Sequence, residues 1–137
     1  MVQHDMIEIV QQGLQDEMHA AVQYIAVAGK YGDGAIKEAF LSYAADELKH
    51  ARKLMQLLQT LGADWETMPI AVEEMDDLYL YLIEYMAREE SAVFYYEALG
   101  NLVQDPQLQR MCKEIQGEEQ LHLNQIRALY QQVKEHA

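Results

Sequence analysis

Two four-residue segments decide the fold: residues 47–50, Glu-Leu-Lys-His, and residues 119–122, Glu-Gln-Leu-His. Residues three apart lie on the same face of an α-helix, so each segment presents a carboxylate and an imidazole side by side. Apolar residues continue each pair at helical spacing, as Leu54 does after the first and Ile126 after the second. Both pairs are therefore expected on helices, facing the core.

The two segments belong to a longer internal repeat. Residues 17–24 resemble residues 89–96, with Glu, Ala and Tyr at the same relative positions, and every matching position is 72 residues apart. The polar positions shared by the two copies are Glu17 and Glu89, Tyr24 and Tyr96, Glu47 and Glu119, and His50 and His122. One helical hairpin is therefore predicted to occur twice.

The composition favours helix along the whole chain, since half of the 137 residues are apolar and only two are proline. Periodicity and breakers predict helices over about residues 5–31, 35–61, 73–102 and 106–135. The expected boundary residues are Asp33 as a cap, Gly62 as a stop, and Asp105 as a cap followed by Pro106.

The connection between the second and third helices is long. A dozen extended residues at ~3.3 Å each can run the ~40 Å length of such a helix. The sequence therefore predicts an all-α protein with a single domain over residues 1–137, an up-down-down-up four-helix bundle of two duplicated hairpins joined by a long crossover. We expect Trp65 to anchor that crossover.

Four glutamates in one core require a counter-charge, because an isolated buried carboxylate costs many kcal/mol. Two divalent ions would balance the four carboxylates, and two neutral imidazoles would complete the set. Carboxylate and imidazole ligands favour iron or manganese over a thiophilic ion, with zinc still possible. The predicted metal ligands are Glu17, Glu47, His50, Glu89, Glu119 and His122. A bundle with buried ion pairs and no metal is the alternative.

These motifs carry a family resemblance over nearly the whole chain. Glu17, the pair Gln23-Tyr24 and residues 46–50 resemble bacterioferritins, whereas residues 89–96 and 118–122 resemble the rubrerythrin branch of the ferritin-like superfamily. The resemblance implies that Glu47 and Glu119 bridge two iron ions. The other implied roles are terminal carboxylates for Glu17 and Glu89, terminal nitrogen ligands for His50 and His122, hydrogen bonding or electron relay for Tyr24 and Tyr96, and orientation of a histidine ring for Asp46 and Glu118.

The departures from the family patterns narrow the expectation. Leu48 stands where haem-binding bacterioferritins have a methionine, so no haem is expected. The single cysteine, Cys112, cannot supply a rubredoxin-type module, so any electron donor is external, and we interpret Cys112 as a small core residue. Ala92 stands where rubrerythrins add a glutamate. A short fifth helix typical of ferritin cages is not expected, which favours a smaller assembly.

The sequence thus predicts a carboxylate-bridged di-iron centre that oxidises Fe(II) or reduces O₂ or peroxide. Four alternatives stay open: iron storage or handling, a di-iron oxygenase, a catalase of the manganese type, and a structural bundle with an inert metal. The fold alone does not choose among them, because one fold hosts many chemistries.

Charge and hydropathy restrict the partners. The formal net charge of −13 disfavours nucleic acid and anionic lipid. No apolar run approaches the ~20 residues of a membrane span, and no signal peptide is expected, so we predict a cytoplasmic protein. Residues 20–28 and 78–83 are apolar around much of the helix circumference, which favours a homodimer.

Overall fold

The computed structural model describes residues 3–32 and 34–136, which form four α-helices and, within those ranges, no strand. The helices are α1 (Gln3–Lys30), α2 (Gly34–Thr60), α3 (Leu78–Leu102) and α4 (Pro106–Glu135). The all-α prediction is confirmed. The capping role predicted for Asp33 falls outside the described residues.

The helices form two compact units. The first hairpin, Met1–Glu73, contains α1 and α2, and the second hairpin, Glu74–Ala137, contains α3 and α4. In each, a short turn joins two long helices that pack against each other, as the internal repeat predicts. A single domain over residues 1–137 stays a prediction.

Two helix boundaries follow from local sequence, as predicted. At the end of α2, Gly62 adopts φ +77°, and the backbone donates from Ala63 to Leu58 at 2.9 Å and from Gly62 to Gln59 at 3.0 Å. This is the Schellman motif, in which a left-handed glycine closes the last turn. At the start of α4, the Asp105 carboxylate accepts from the Gln107 amide at 2.8 Å, and proline occupies the first turn.

The predicted start of α3 at about residue 73 is wrong, since the helix begins at Leu78. Asp77 is its N-cap, with extended backbone and a side chain that accepts from the Leu80 amide at 3.1 Å. Upstream, both backbone groups of Glu73 are bonded to the Gln23 side chain. The Gln23 side chain thus holds Glu73 in the crossover, and the helix does not begin until Leu78.

The crossover (residues 61–77) runs along α1 in the same direction, held by glutamines rather than by Trp65. Four side chains of α1 bind its backbone: Gln3 donates to Leu61, Gln11 to Asp64, Gln15 to Met68 and Gln23 to Glu73. They are spaced by multiples of four, so they follow one ridge of the helix. Trp65 stays 42% exposed, and its predicted anchoring role is wrong.

The apolar stripes predicted from the sequence form the core of each hairpin. Fully buried members include Val10, Leu14, Phe40 and Leu54 in the first hairpin and Leu82, Ile115 and Ile126 in the second. Among the described residues, no helix is both long enough and apolar enough to cross a membrane. In each hairpin the apolar stripes of the two helices pack against each other, and they are interrupted by the same kinds of polar side chain.

Candidate metal centre

The first hairpin brings three of the predicted ligands together. Glu17 on α1 and Glu47 and His50 on α2 are each at most 4% exposed. His50 Nδ1 lies 2.9 Å from Glu17 Oε2 and 3.5 Å from Glu47 Oε1. The two contacts of His50 follow from the places of these residues on the helices. Glu47 and His50 are one turn apart on α2, and Glu17 faces them from α1.

The second hairpin repeats the arrangement. Glu89 on α3 and Glu119 and His122 on α4 are at most 2% exposed. His122 Nδ1 lies 3.6 Å from Glu89 Oε2 and 3.5 Å from Glu119 Oε1. In each hairpin, one donor atom from each of the three side chains lies within 4.8 Å of the other two. We call the two sets the first and second ligand trios.

The donor set of each trio fits a metal ion. Two carboxylates buried side by side repel each other, and one imidazolium could compensate only one of them. A divalent cation neutralises both and uses the imidazole as a neutral ligand. Oxygen and imidazole donors without a thiolate suit iron or manganese, and zinc also accepts them. The chemistry of the residues present thus agrees with the metal that the sequence motifs imply.

The two predicted tyrosines are buried, each in its own hairpin. Tyr24 is fully buried and packs in an aromatic cluster, with ring centroids 5.6 Å from Phe40 and 5.9 Å from Tyr43. Tyr96 is 1% exposed, and its ring meets that of Tyr95 edge-on at 5.0 Å. Their hydrogen-bonding and relay roles stay predictions.

Tyr85 is a buried residue beside the second trio that the repeat does not reveal. It lies one turn before Glu89 on α3, is fully buried, and its ring centroid is 6.1 Å from that of Tyr81. The Tyr81 hydroxyl accepts from the Met75 amide at 2.9 Å. The matching position of the first hairpin is Gly13, so the duplication gives no signal. The burial of Tyr85 is nevertheless predicted by its place on the apolar stripe of the third helix that continues through Glu89.

Cys112 is buried, as predicted, and its thiol has low reactivity. Desolvation raises the pKa of its thiol from 9.0 to about 11, so the reactive thiolate is scarce at neutral pH. It lines an open pocket of about 550 Å³ between α3 and α4. The other lining residues are Tyr96, Glu97, Gly100, Asn101, Gln109, Lys113 and Gln116.

Three further polar residues, Asp46, Glu118 and His19, lie close in sequence to the predicted ligands. Asp46 and Glu118 are half-buried, and their predicted role of orienting a histidine ring stays a prediction. His19 points away from the first trio, with Nε2 3.8 Å from Glu73 Oε1. It belongs to the contact between α1 and the crossover.

The chain is similar to known ferritin-like proteins in both sequence and structure. The sequence model of the rubrerythrin family matches residues 8–130. No curated protein matches the chain. The bacterioferritin of Desulfovibrio desulfuricans, solved with its di-iron site reduced in solution and reoxidised before crystallisation, has a similar structure: TM-score 0.87, 20% identity, covering 97% of this chain and 82% of that one.

A second similar structure is that of the ferritin-like, di-iron carboxylate proteins of Bacillus anthracis strain Ames. Its TM-score is 0.83 at 23% identity, covering 95% of this chain and 99% of that chain. At such identities the likeness establishes the fold alone. The chain has the ferritin-like four-helix-bundle fold that the sequence predicts.

Proposed function

The chain belongs to the rubrerythrin family of ferritin-like di-iron carboxylate proteins, and we propose that its two ligand trios together hold a carboxylate-bridged pair of iron ions. At this centre Fe(II) is oxidised and O₂ or peroxide is reduced. The observation that carries the proposal is the repetition itself. The same three side chains, buried to the same extent, meet in both hairpins.

We propose different ligand roles for the six side chains. Glu47 and Glu119, each one turn before a histidine on its own helix, are the proposed bridges. Glu17 and Glu89 are the proposed terminal carboxylates, and His50 and His122 the terminal nitrogen ligands. Two iron ions bound by these side chains would supply one-electron chemistry at each ion, and together the two electrons that peroxide reduction requires.

The surrounding residues keep water out and set the ligand positions. Tyr24 lies two turns beyond Glu17, and Tyr96 lies two turns beyond Glu89, on the same helix faces. We propose that their hydroxyls hydrogen-bond ligand carboxylates and relay electrons. Because the chain has one cysteine, it cannot build a four-cysteine iron centre of its own. We propose that an external donor supplies the electrons that return the centre to its reduced state.

An anaerobic Fe(II) titration of the metal-free protein, followed by exposure to air, tests the proposal. We expect saturation at two iron ions per chain and a di-ferric absorption band. Glu47→Ala should abolish both, while Glu38→Ala, at an exposed glutamate of the same helix, should change neither. Oxidation of many soluble iron ions per chain would instead indicate storage. Failure to bind iron would overturn the proposal.

We further propose a homodimer and a cytoplasmic location. The α3 helix leaves Leu80 40%, Ile83 41% and Phe94 61% exposed, and a partner subunit would bury such side chains. The single cysteine is consistent with a reducing compartment. Sedimentation of the wild type against Phe94→Glu tests the dimer, because a charge in the interface should give monomers.

A further inference from the structure

Tyr79 at the start of α3 and Tyr130 near the end of α4 form a closely matched pair of phenols. Their ring centroids are 5.2 Å apart with planes inclined by 28°, and their hydroxyl oxygens are 3.2 Å apart. Both residues are half-buried, and the Lys134 ammonium lies 5.9 Å from the Tyr130 ring. The matching positions of the first hairpin are Ile7 and Leu58, so the pair has no counterpart there.

The geometry aligns the carbons at which oxidised phenols couple. When two near-parallel rings have their hydroxyls side by side, the carbons ortho to each oxygen also face one another. The contact between Tyr95 and Tyr96 shows the contrast, since those rings are just as close but perpendicular, at 88°. We propose that Tyr79 and Tyr130 are an oxidative modification site, at which a carbon–carbon bond joins the two rings and links α3 covalently to α4.

The chemistry balances with peroxide as the oxidant. Each phenol loses one electron and its hydroxyl proton, and the two resulting phenoxyl radicals form one bond between ortho carbons. The two ortho hydrogens then move to the oxygens, restoring both phenols. The pair has lost two electrons and two protons, which reduce one hydrogen peroxide to two waters. The product is two hydrogens lighter than the unlinked chain.

The position of the pair connects it to the proposed function, from which the inference takes its peroxide. Along α3, Tyr79 is about 15 Å from Glu89, and along α4, Tyr130 is about 12 Å from His122. The buried rings of Tyr81 and Tyr85 lie between, 6.1 Å apart. The hydrogen bond with Tyr130 raises the pKa of Tyr79, so Tyr79 is a neutral phenol at physiological pH, and its oxidation must release a proton.

The linkage makes the pair a sink for oxidising equivalents. An oxidising equivalent that is transferred from the centre along the buried tyrosines would be consumed in forming a bond within one chain. It would then not oxidise another molecule. It would also link the last turns of α4 covalently to the first turn of α3, where the two rings already stack and share a hydrogen bond.

The test oxidises the protein in two ways and maps the product. In the first arm, zinc-loaded protein receives a ruthenium photosensitiser and persulfate, which oxidise tyrosines without iron. We expect dityrosine fluorescence in chains that are not covalently linked to another chain. Peptide mapping should give one linked pair, which contains Tyr79 and Tyr130 and is two hydrogens lighter than the two separate peptides. Tyr79→Phe should lose at least nine-tenths of the fluorescence, and Tyr95→Phe should lose almost none.

The second arm adds peroxide to iron-loaded protein and separates this inference from the proposed function. Linkage in both arms supports both. Linkage in the first arm alone supports the tyrosine pair and counts against the proposed reduction of peroxide at the iron centre. The inference is overturned if the first arm gives no linkage, if the link maps to other tyrosines, or if it joins two chains.

Discussion

The two hairpins carry the same ligands and pack them differently. The glutamates and the histidine of each trio occupy matching positions, and the one-turn contact on α2 and α4 is 3.5 Å in both. The contact across helices differs, at 2.9 Å for Glu17 with His50 and 3.6 Å for Glu89 with His122. The difference teaches that the two hairpins share the identity of their buried polar side chains but not the details of how those side chains contact one another across helices.

The divergence is clearest around the matching residues Phe40 and Cys112. Phe40 is fully buried between Tyr24 and Tyr43, with ring centroids 5.6 Å away from each. At the matching place in the second hairpin, Cys112 lines an open pocket of about 550 Å³ together with Tyr96. One hairpin has a cluster of aromatic rings at this place, and the other has a small side chain beside a surface pocket.

The largest effect should come from breaking the trios one at a time. We expect Glu47→Ala and Glu119→Ala each to weaken iron binding by more than about 100-fold, beyond the 10–100-fold typical of losing a residue that only supports a ligand. Titration calorimetry under anaerobic conditions measures this. Glu38→Ala and Glu114→Ala are controls at exposed positions on the same helices. If only one trio proved necessary, the equivalence of the hairpins would be lost.

The same substitutions, Glu47→Ala and Glu119→Ala, should stabilise the metal-free protein although they weaken iron binding. Removing one carboxylate from a buried pair relieves repulsion and desolvation, so we expect the Tm without metal to rise. With iron bound, the Tm of the variant should lie below that of the wild type, because ligand binding no longer stabilises the fold. A lower Tm in both states would mean that the carboxylates act as ordinary packing residues.

Exchange of the packing residues should sharpen the contrast between hairpins. Phe40→Cys should cost about 3 kcal/mol, because it empties a filled aromatic cluster. Cys112→Phe should cost less than half as much, because the larger side chain can extend into the open pocket that Cys112 lines. Denaturant unfolding of both variants gives the comparison. Equal costs would show that the two cores are packed to the same density.

A smaller effect is expected where the crossover is held. Gln23 is 2% exposed, donates to the Glu73 carbonyl at 2.8 Å and accepts from its amide at 2.9 Å. Gln23→Leu should therefore cost about 2 kcal/mol, whereas Gln15→Leu, at a partly solvated position, should cost less than about 1 kcal/mol. Hydrogen exchange should show lost protection at Glu73 in the first variant and at Met68 in the second.

The smallest effect is the pH dependence contributed by Cys112. Its thiol has a pKa of about 11 in the folded protein and 9.0 otherwise, so the unfolded chain loses its proton first as the pH rises. The resulting stability is present in full below pH 9 and is lost towards pH 11, with about 1.4 kcal/mol gone at pH 10. The stability advantage of the wild type over Cys112→Ala should shrink by that amount between pH 8 and pH 10. A constant difference would contradict the shifted pKa.

The sequence predicted most where the physics is local or repeated. Gly62 and Asp105 act within one turn, so the end of α2 and the start of α4 were predictable. The buried position of the trios was predictable because the repeat shows the same polar residues on two apolar stripes. Their role as metal ligands stays a prediction that the titration tests.

What the sequence missed depends on contacts between distant residues. The start of α3 was misplaced because Glu73 is held by Gln23, fifty residues earlier. Trp65 was misjudged because large aromatic side chains are often buried, whereas this one is 42% exposed and the backbone of the crossover is hydrogen-bonded to glutamines of α1. The pairing of Tyr79 with Tyr130 depends on how α3 and α4 are aligned along their length, which no motif within either helix encodes.

The glutamine contacts have a consequence for how freely the crossover can evolve. Every one of them reaches the main chain of the crossover, and none requires a particular side chain there. Apart from Gly62, whose positive φ favours glycine, residues between Leu61 and Glu73 can therefore change while the path of the chain is kept. A segment anchored in this way offers a natural place for inserted recognition sequences, because its route is specified by the helix beneath it.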